Sequence, residues 1–458
     1  MRNSHYRQPS ESTKVALYVR VPIILLVAWV LLSIVGLVLA EGMPWHQAEA
    51  AVQLGKFPES PGDVPRPAHS LAINAQQLPA MLWPAPVMDE GQVLMLGTED
   101  SAGNWSMQPL LTSTQNVWAP ELVYVDGNLV AAWLEGIQES WKGDLIQMDV
   151  ASGLTITVKN DVRGFTMPEI AVSPTGLHMV FTSPALEEET IDKAHLYYAH
   201  RPAGDEELSW TYRVLVGRDQ VITGADSIWW PRIALSADGT EVHLVWRQEV
   251  AEGDELDQVW YMPGNWDMEQ EEISWGNYMR ITAGGHQRMV EPSVAVDPSD
   301  DSLYITWVHW TIGPPEEQDV YLCRWNGEDC EVLTRLNEHN IEVSRGAPVW
   351  AHPSVAARDG MVCVSWHARD QVYQLEEIIA RCSSDRGETW QHPINISAAD
   401  EHYAVYADIY LDGFKQLHVA WLELYLDEIR PAPDHIYYRR GTSTVNIVYL
   451  PLITRGYR

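Results

Sequence analysis

The segment EPSVAVDPSDDSLYITW, residues 291–307, contains a proline, an apolar alternating run, a turn and a second alternating run ending in Trp307. Alternation with period two is typical of β-strands, and Asp-Pro or Asp-Gly turns join strands into hairpins. The same pattern recurs at intervals of 48 to 63 residues, at Pro120, Pro168, Pro231, Pro292, Pro353 and Ala407. The repeat therefore predicts six similar β-hairpins along the chain.

Each hairpin is followed, after a polar loop, by a third apolar run such as Leu196-Tyr197-Tyr198, and in places by a fourth such as residues 212–215. A single four-stranded sheet cannot bury both of its faces, whereas sheets packed radially can. The sequence predicts an all-β, six-bladed β-propeller over residues 91–445. Residues 94–96 and 109–111 precede the first repeat and are expected to complete the last blade, or to belong to a seventh.

The composition agrees with an exported β-protein. The 458 residues include 21 Trp and 19 Tyr against 4 Phe, and Trp and Tyr suit half-buried pleated surfaces. A formal charge of −33, from 30 basic and 63 acidic residues, disfavours nucleic acid as a partner.

The N-terminal region predicts export. Residues 21–40 are apolar and uncharged, long enough to span a bilayer, and follow a basic segment over residues 1–20. We expect either a transmembrane signal-anchor, which leaves the domain attached to the cell membrane, or a cleaved signal peptide, which releases it. Residues 41–90, rich in Pro and Ala, are expected to form a stalk, and residues 446–458 an apolar-basic tail or closing strand.

One motif carries a family resemblance. The octapeptide SSDRGETW, residues 383–390, has the pattern S-x-D-x-G-x-T-W and resembles the Asp box of sialidase-like (BNR-repeat) propellers. The matching positions are Ser383, Asp385, Gly387, Thr389 and Trp390. In that family the turn is structural and lies on the face opposite the ligand site, so the resemblance implies a six-bladed propeller and no catalytic role for these residues.

The sialidase active site does not carry over. That family uses three arginines, a Tyr-Glu pair and an Asp, with an early F/Y-R-I-P motif that this chain lacks. The nearest segment, Pro231-Arg232-Ile233, has the order altered and lies in the third repeat. Sialidase activity is therefore not expected from the motif pattern.

Strand order nevertheless assigns the candidate ligand face. The first strands of the repeats begin at one end of the channel, where the second-to-third strand loops also lie. The residues expected around the channel at this end are Glu121, Glu169, Arg232, Glu291, His352, Tyr406 and Asp408. The candidate ligand-binding residues are Arg232, Arg247 and Arg345 for an anionic group and Trp230, Trp310 and Trp350 for stacking. The weak catalytic candidates are Glu135, Glu423 and Asp408.

Two functions remain open at this point. The first is an extracytoplasmic recognition module that binds a glycan or a protein on the loop face without catalysis. The second is an exo-sialidase-like glycoside hydrolase with a non-standard active site, which needs opposed carboxylates. No cofactor is predicted, and His352 and His367 lack the spacing of metal ligands.

The four cysteines favour an oxidising compartment. If Asn326-Gly327 is a two-residue hairpin turn, Cys323 and Cys330 face each other across the ladder. Cys363 and Cys382 lie on neighbouring strands of one repeat. We predict these two disulfides, against two other connectivities and the alternative of free thiols.

Overall fold

The computed structural model describes residues 52–56, 69–86, 92–137, 142–163, 167–184, 194–205, 209–216, 225–250, 257–267, 269–270, 272–282, 287–311, 317–338, 341–342, 351–369, 376–397, 403–427 and 430–442. The chain divides into two compact units, Met1–His46 and Gln47–Arg458, and the described residues all belong to the second. The apolar segment 21–40 and the tail 446–458 lie outside them. Among the described residues, no helix has the length and hydropathy that a bilayer crossing requires.

The described residues form a seven-bladed all-β propeller, because seven separate antiparallel sheets follow one another along the chain. Blade 1 contains β2 (Ser70–Ile73), β3 (Pro79–Pro86), β4 (Gln92–Glu99) and β5 (Trp105–Ser113). Blade 2 contains β6 (Asn116–Val125), β7 (Asn128–Ile137), β8 (Lys142–Asp149) and β9 (Leu154–Arg163). Blade 3 contains β10 (Glu169–Ser173), β11 (Gly176–Pro184), β12 (Ala194–Pro202) and β13 (Thr211–Val216).

The remaining blades repeat this order. Blade 4 contains β14 (Ala225–Leu235), β15 (Glu241–Val250), β16 (Gln258–Asp267), β17 (Glu272–Trp275) and β18 (Met279–Arg280). Blade 5 contains β19 (Gln287–Val296), β20 (Leu303–Thr311), β21 (Glu317–Trp325), β22 (Cys330–Arg335) and β23 (Ile341–Glu342). Blade 6 contains β24 (Ser354–Arg358), β25 (Met361–Ala368), β26 (Glu377–Ser383) and β27 (Ile394–Asn395). Blade 7 contains β28 (Tyr403–Leu411), β29 (Gln416–Asp427), β30 (Arg430–Thr442) and, from the N-terminal side, β1 (Val52–Lys56).

Two expectations about the ring are corrected by this topology. There are seven blades rather than the favoured six, and residues 94–96 and 109–111 belong to blade 1 instead of completing the last blade, which confirms the alternative of a seventh blade. The last blade is completed by β1, which pairs antiparallel with β30 from Val52↔Tyr438 to Lys56↔His435. The segment 41–90, expected to be a stalk, therefore contributes β1, β2 and β3 to the propeller.

The core lies between neighbouring blades and is anchored by the aromatic residue of each second strand. Trp83, Trp133, Trp246, Trp366 and Trp421 are at most 1% exposed. Buried apolar clusters each combine side chains from two adjacent blades, as where Trp133 packs with Leu82. Replacing one of these tryptophans by alanine would cost about 3–5 kcal/mol.

Both predicted disulfides are confirmed. Cys363 and Cys382 lie directly opposite each other on β25 and β26, with Cα atoms 4.1 Å apart. The Cys323–Cys330 bridge is diagonal, because Cys330 pairs with Trp325 and Cys323 with Leu333. The expected two-residue turn is wrong, since residues 326–329 form a four-residue turn closed by the Asn326 N–H donating to Asp329 O at 3.2 Å.

Candidate functional site

A cavity of about 260 Å³ lies on the propeller axis and is lined by the first strand of every blade. Each blade contributes a polar side chain to its lining, and these are Ser70, Glu121, Glu169, Arg232, Glu291, His352 and Asp408. Trp230 and Tyr406 add aromatic surface. The channel residues expected from the sequence are thus brought together at one site.

The backbone of the first strands projects these side chains inward. Ala119, Trp230, Glu291, His352 and Tyr406, each at the position before the repeat proline or its equivalent, have φ between 40° and 55°. The pairing with the second strand shifts at the same place in four blades, between residues 118 and 121, 229 and 232, 290 and 293, and 405 and 408. Because residues before proline prefer extended backbone, these left-handed bulges are strained, and such strain is concentrated at functional sites.

Arg232 lies among one buried carboxylate, Glu121, and two half-buried ones, Glu169 and Asp408. Its Nη1 lies 3.5 Å from Glu169 Oε2, and Glu121 accepts a hydrogen bond from Ser70 Oγ at 3.5 Å. Burial raises the pKa of Glu121 well above its ordinary value, and the neighbouring Glu169 adds to this effect. Burial also raises the pKa of Glu169 to about 7, against the opposing attraction of Arg232, and that of Asp408 to about 6. Glu169 and Asp408 can therefore exchange protons near neutral pH.

Several lining side chains also connect neighbouring blades. Asp408 Oδ2 of blade 7 accepts the Leu71 N–H of blade 1 at 3.1 Å, and Ser70 Oγ of blade 1 accepts the Leu122 N–H of blade 2 at 3.0 Å. Glu291 Oε2 of blade 5 accepts the His352 N–H of blade 6 at 3.1 Å. The ring of polar groups consequently has a structural role in addition to any ligand contact.

A histidine and tyrosine group lies on the blade 6 and 7 side of the cavity. His352 Nδ1 is 2.7 Å from Glu291 Oε2, and the ring centroids of His352 and Tyr406 are 4.6 Å apart. His367 lies behind them, 5.5 Å from His352 between centroids. Among the described residues, no three His, Cys, Asp or Glu side chains are placed to hold a metal ion.

A second cluster lies beside the cavity on blades 4 and 5. The guanidinium of Arg247 stacks over Trp230, 4.9 Å from the ring centroid, and its Nη2 is 2.8 Å from the buried Asp257. Arg288, which the sequence reasoning missed, lies over Trp310 at 5.2 Å. Its only sequence signal is its place three residues before Glu291. Arg345 and Trp350 lie outside the described residues.

The other two catalytic candidates are placed away from the cavity lining. The Trp133 indole donates to Glu135 Oε2 at 3.5 Å, and the Trp421 indole donates to Glu423 Oε1 at 3.3 Å. Gln248 occupies the same position in blade 4 and accepts from Trp246 at 3.4 Å. Glu135 and Glu423 thus share a role in orienting the core tryptophans, and of the three candidates Asp408 alone lines the cavity.

The turn over residues 383–390 lies at the opposite end of the channel, between β26 and β27. Asp385 accepts the Thr389 N–H at 2.8 Å and the Thr389 hydroxyl at 2.6 Å. Gly387 has φ 85°, and its carbonyl accepts the Trp390 indole N–H at 2.9 Å. These hydrogen bonds lie within the turn and explain why it needs Asp385, Gly387, Thr389 and Trp390.

Comparison with known proteins gives similarity of fold. No family model matches the chain, and no curated protein matches it. Among solved structures, the polysaccharide lyase Uly1 superposes with TM-score 0.51 at 9% identity, covering 86% of this chain and 94% of that one. The arabinofuranosidase Arb93A from Fusarium graminearum gives TM-score 0.45 at 11% identity, with coverage of 85% and 97%. A mutant Trypanosoma rangeli sialidase gives 0.35 at 10%, with coverage of 61% and 54%. The chain is therefore a β-propeller whose structural neighbours include a sialidase and other propeller enzymes.

Proposed function

We propose that this protein is an extracytoplasmic recognition module that binds a glycan at the channel mouth without catalysis. The observation that carries the proposal is the axial cavity, to which each of the seven blades contributes at least one polar side chain, beside Trp230 and Tyr406. Sugars present hydroxyl groups that carboxylates and guanidinium groups can hydrogen-bond, and apolar faces that stack on aromatic rings. The two disulfides agree with a domain outside the cytoplasm.

The N-terminal segment fits the same assignment. Residues 21–40 would serve as a membrane anchor or a cleaved signal, and β1 begins 12 residues after that segment ends. We also assign the chain to the sialidase-like propellers, with residues 383–390 as an Asp box. The support is the octapeptide pattern together with the Asp385–Thr389 and Trp390–Gly387 hydrogen bonds.

The test is a glycan array probed with the full-length protein, followed by affinity measurement on the hits. Trp230→Ala should weaken binding about tenfold, because stacking on an aromatic face contributes about 1–1.5 kcal/mol. Phe414→Ala is the matched control, since Phe414 is 73% exposed in the β28–β29 hairpin at the far end of the channel. Equal binding by both variants and the unmodified protein, or capture of a protein ligand with no glycan bound, would rule out the proposal.

A glycoside hydrolase is the second candidate, and one observation favours it. Glu169 and Asp408 line one cavity, and their raised pKa values, about 7 and about 6, suit proton transfer near neutral pH. Incubation with fluorogenic glycosides and with the glycans found on the array discriminates the two functions. Turnover abolished by Glu169→Gln would replace recognition with hydrolysis as the function.

A further inference from the structure

The axial cavity contains more acidic than basic groups. Among the described residues that line it, four have carboxyl groups, and Arg232 is the one arginine or lysine. Arg232 lies 3.5 Å from Glu169, and Glu291 lies 2.7 Å from a histidine nitrogen. Glu121 and Asp408 form no ion pair with a described residue, although the charge of Arg232 acts on both. These two carboxyl groups are therefore the ones that a cationic ligand could still contact directly.

Glu121 and Asp408 flank blade 1 at the same level of the channel. Asp408 of blade 7, Ser70 of blade 1 and Glu121 of blade 2 each pair with the residue that precedes the core tryptophan of the second strand. Ser70 Oγ donates to Glu121 Oε2 at 3.5 Å, and Asp408 Oδ2 accepts the Leu71 N–H at 3.1 Å. The two carboxyl groups are close enough to repel each other, since Asp408 contributes to the raised pKa of Glu121.

His69 adds a buried polar group beside them. It lines the cavity next to Ser70 and is 2% exposed. Neither of its ring nitrogens has a hydrogen-bond partner among the described residues. Burial lowers its pKa to about 4, although the nearby Ala420 backbone opposes the shift, so near pH 7 the ring is neutral and has one acceptor nitrogen. A buried polar group without a partner costs free energy, which a ligand that donates a hydrogen bond to it recovers.

His69, Ser70, Glu121 and Asp408 form what we call the acidic arc, which is rich in hydrogen-bond acceptors. An ammonium group matches it, because such a group has three N–H donors, no acceptor and a positive charge. Its charge also stabilises the ionised form of carboxyl groups that burial otherwise keeps protonated. A hydroxyl group supplies one donor and no charge, so it satisfies fewer of these acceptors.

The surroundings of the acidic arc indicate the rest of the ligand. Tyr406, on the same strand as Asp408, supplies aromatic surface on which a sugar ring can stack. We infer that the acidic arc binds the ammonium group of an amino sugar in the glycan that occupies the cavity. The inference rests on the proposed function and makes the ligand a glycan with unacetylated amino groups.

The experiment compares three oligosaccharides on the full-length protein. They are β-1,4-linked oligomers of glucosamine, N-acetylglucosamine and glucose, which share length and linkage and differ in the substituent on one carbon of each ring. Binding is measured at pH 6, where the free amine carries its charge. We expect the glucosamine oligomer to bind about tenfold more tightly than either of the others, because a hydrogen bond between charged groups is added.

Glu121→Gln should weaken binding of the glucosamine oligomer about tenfold and leave that of the glucose oligomer unchanged. The variant should fold, because burial already favours the uncharged form of Glu121 and glutamine has nearly the same shape. The matched control is Glu331→Gln, since Glu331 also loses a carboxylate but lies on outer strand β22, 3.2 Å from Arg324. This control should bind all three oligomers as the unmodified protein does.

His69→Phe tests the second part of the acidic arc. Phenylalanine is apolar and similar in size, so this variant removes the acceptor nitrogen and should reduce the preference for the glucosamine oligomer about threefold or more. An unchanged preference in His69→Phe would remove His69 from the site.

Three outcomes would overturn the inference as a whole. An equal loss for the glucosamine and glucose oligomers in Glu121→Gln would show a purely structural residue. Binding of array glycans with no preference for the amino member would refute the ammonium site and leave the proposed function intact. Absence of any glycan binding would refute both.

Discussion

The pKa values of the carboxyl groups at the two ends of the channel are shifted in opposite directions. Burial raises the pKa values of Glu121, Glu169 and Asp408 around the axial cavity. In the hairpins at the other end, hydrogen bonds from the Thr389 side chain and backbone lower the pKa of Asp385, and the Thr240 backbone N–H lowers that of Asp238. The hairpin acids accept several short local hydrogen bonds, whereas the cavity acids are desolvated with fewer donors.

The contrast distinguishes carboxylates that stabilise the fold from carboxylates that remain available to a ligand. A carboxylate whose oxygens are satisfied by its own turn stabilises the fold and has little capacity left for a ligand. A buried carboxylate with incomplete partners destabilises the ionised fold and retains affinity for a proton or a hydroxyl group. Such groups are found where binding or catalysis takes place.

The largest expected effect on stability follows from removing the positively charged Arg232 from the cavity. Arg232→Met leaves Glu169 without its ion-pair partner, near Glu121 and Asp408. We expect the free energy of unfolding to fall by about 3 kcal/mol at pH 8. Most of the loss should be recovered at pH 5, because the carboxylates then bind protons. Denaturant unfolding at the two pH values measures both quantities.

A matched arginine at the hairpin end provides the control. Arg386 Nε is 2.7 Å from Asp300 Oδ2, and the two side chains are 52% and 27% exposed. Arg386→Met should cost less than about 1 kcal/mol, because exposed ion pairs contribute little. Equal losses for the two variants would remove the distinction between the two ends.

An intermediate effect is expected from Glu169. A carboxyl group whose folded pKa is raised to about 7 contributes stability that is fully present below its ordinary pKa near 4.5 and is lost as the pH rises through 7. Glu169→Gln cannot ionise, so the unmodified protein should lose about 2 kcal/mol relative to this variant between pH 5 and pH 8.

For Glu169, the quantity to measure is the difference in the free energy of unfolding between the unmodified protein and Glu169→Gln, at pH 5 and at pH 8. Burial lowers the pKa of His69 to about 4, of His178 to about 3 and of His243 to about 4, and these groups titrate in the opposite sense. Their contribution is common to both proteins and cancels in the difference. A difference that does not change with pH would contradict a raised pKa at Glu169.

The smallest expected effect concerns the turn over residues 383–390. Asp385→Ala removes the acceptor of both Thr389 hydrogen bonds and should lower the free energy of unfolding by about 1 kcal/mol. The loss should be constant from pH 5 to pH 8, because the lowered pKa of Asp385 keeps it ionised throughout this range. A loss of stability that varies with pH would show that Asp385 titrates in this range, as the carboxyl groups of the cavity do.

The repeat could be recognised in the sequence because apolar and polar residues alternate along the first two strands of each blade, one side of which is buried. Blades 2 to 7 each pair an alternating first strand with a second strand that contains a buried aromatic residue, and the residues that this pattern placed around the channel line the axial cavity. Blade 1 was recognised in part, as the runs 94–96 and 109–111 of a possible seventh blade. Its first two strands were not recognised because His69 stands where the other blades have Pro or Ala, and Pro79, Pro84 and Pro86 disguise β3 as a linker. Within sheets, proline is usually confined to edge strands, first residues and bulges, so three prolines in eight residues argue against an inner strand such as β3.

The geometry of the site could not be predicted in the same way. The left-handed backbone before the repeat prolines opposes the local preference of those residues, so tertiary packing must impose it. The cluster of Arg247, Asp257 and Arg288 brings together side chains of the adjacent blades 4 and 5 that no local sequence pattern connects. The placement of Glu135 and Glu423 against core tryptophans likewise depends on side-chain packing rather than on spacing.

The pairing of β1 with β30 has a consequence for the order of folding. Val52 emerges from the ribosome long before its partner Tyr438, so the ring cannot close until β30 has been synthesised. Six sheets can form from consecutive segments during translation, whereas in the seventh β1 must wait until β28, β29 and β30 have been made. Contacts this distant in sequence form slowly, because a long loop must first be closed. Until then, one blade edge stays open and can pair with another chain.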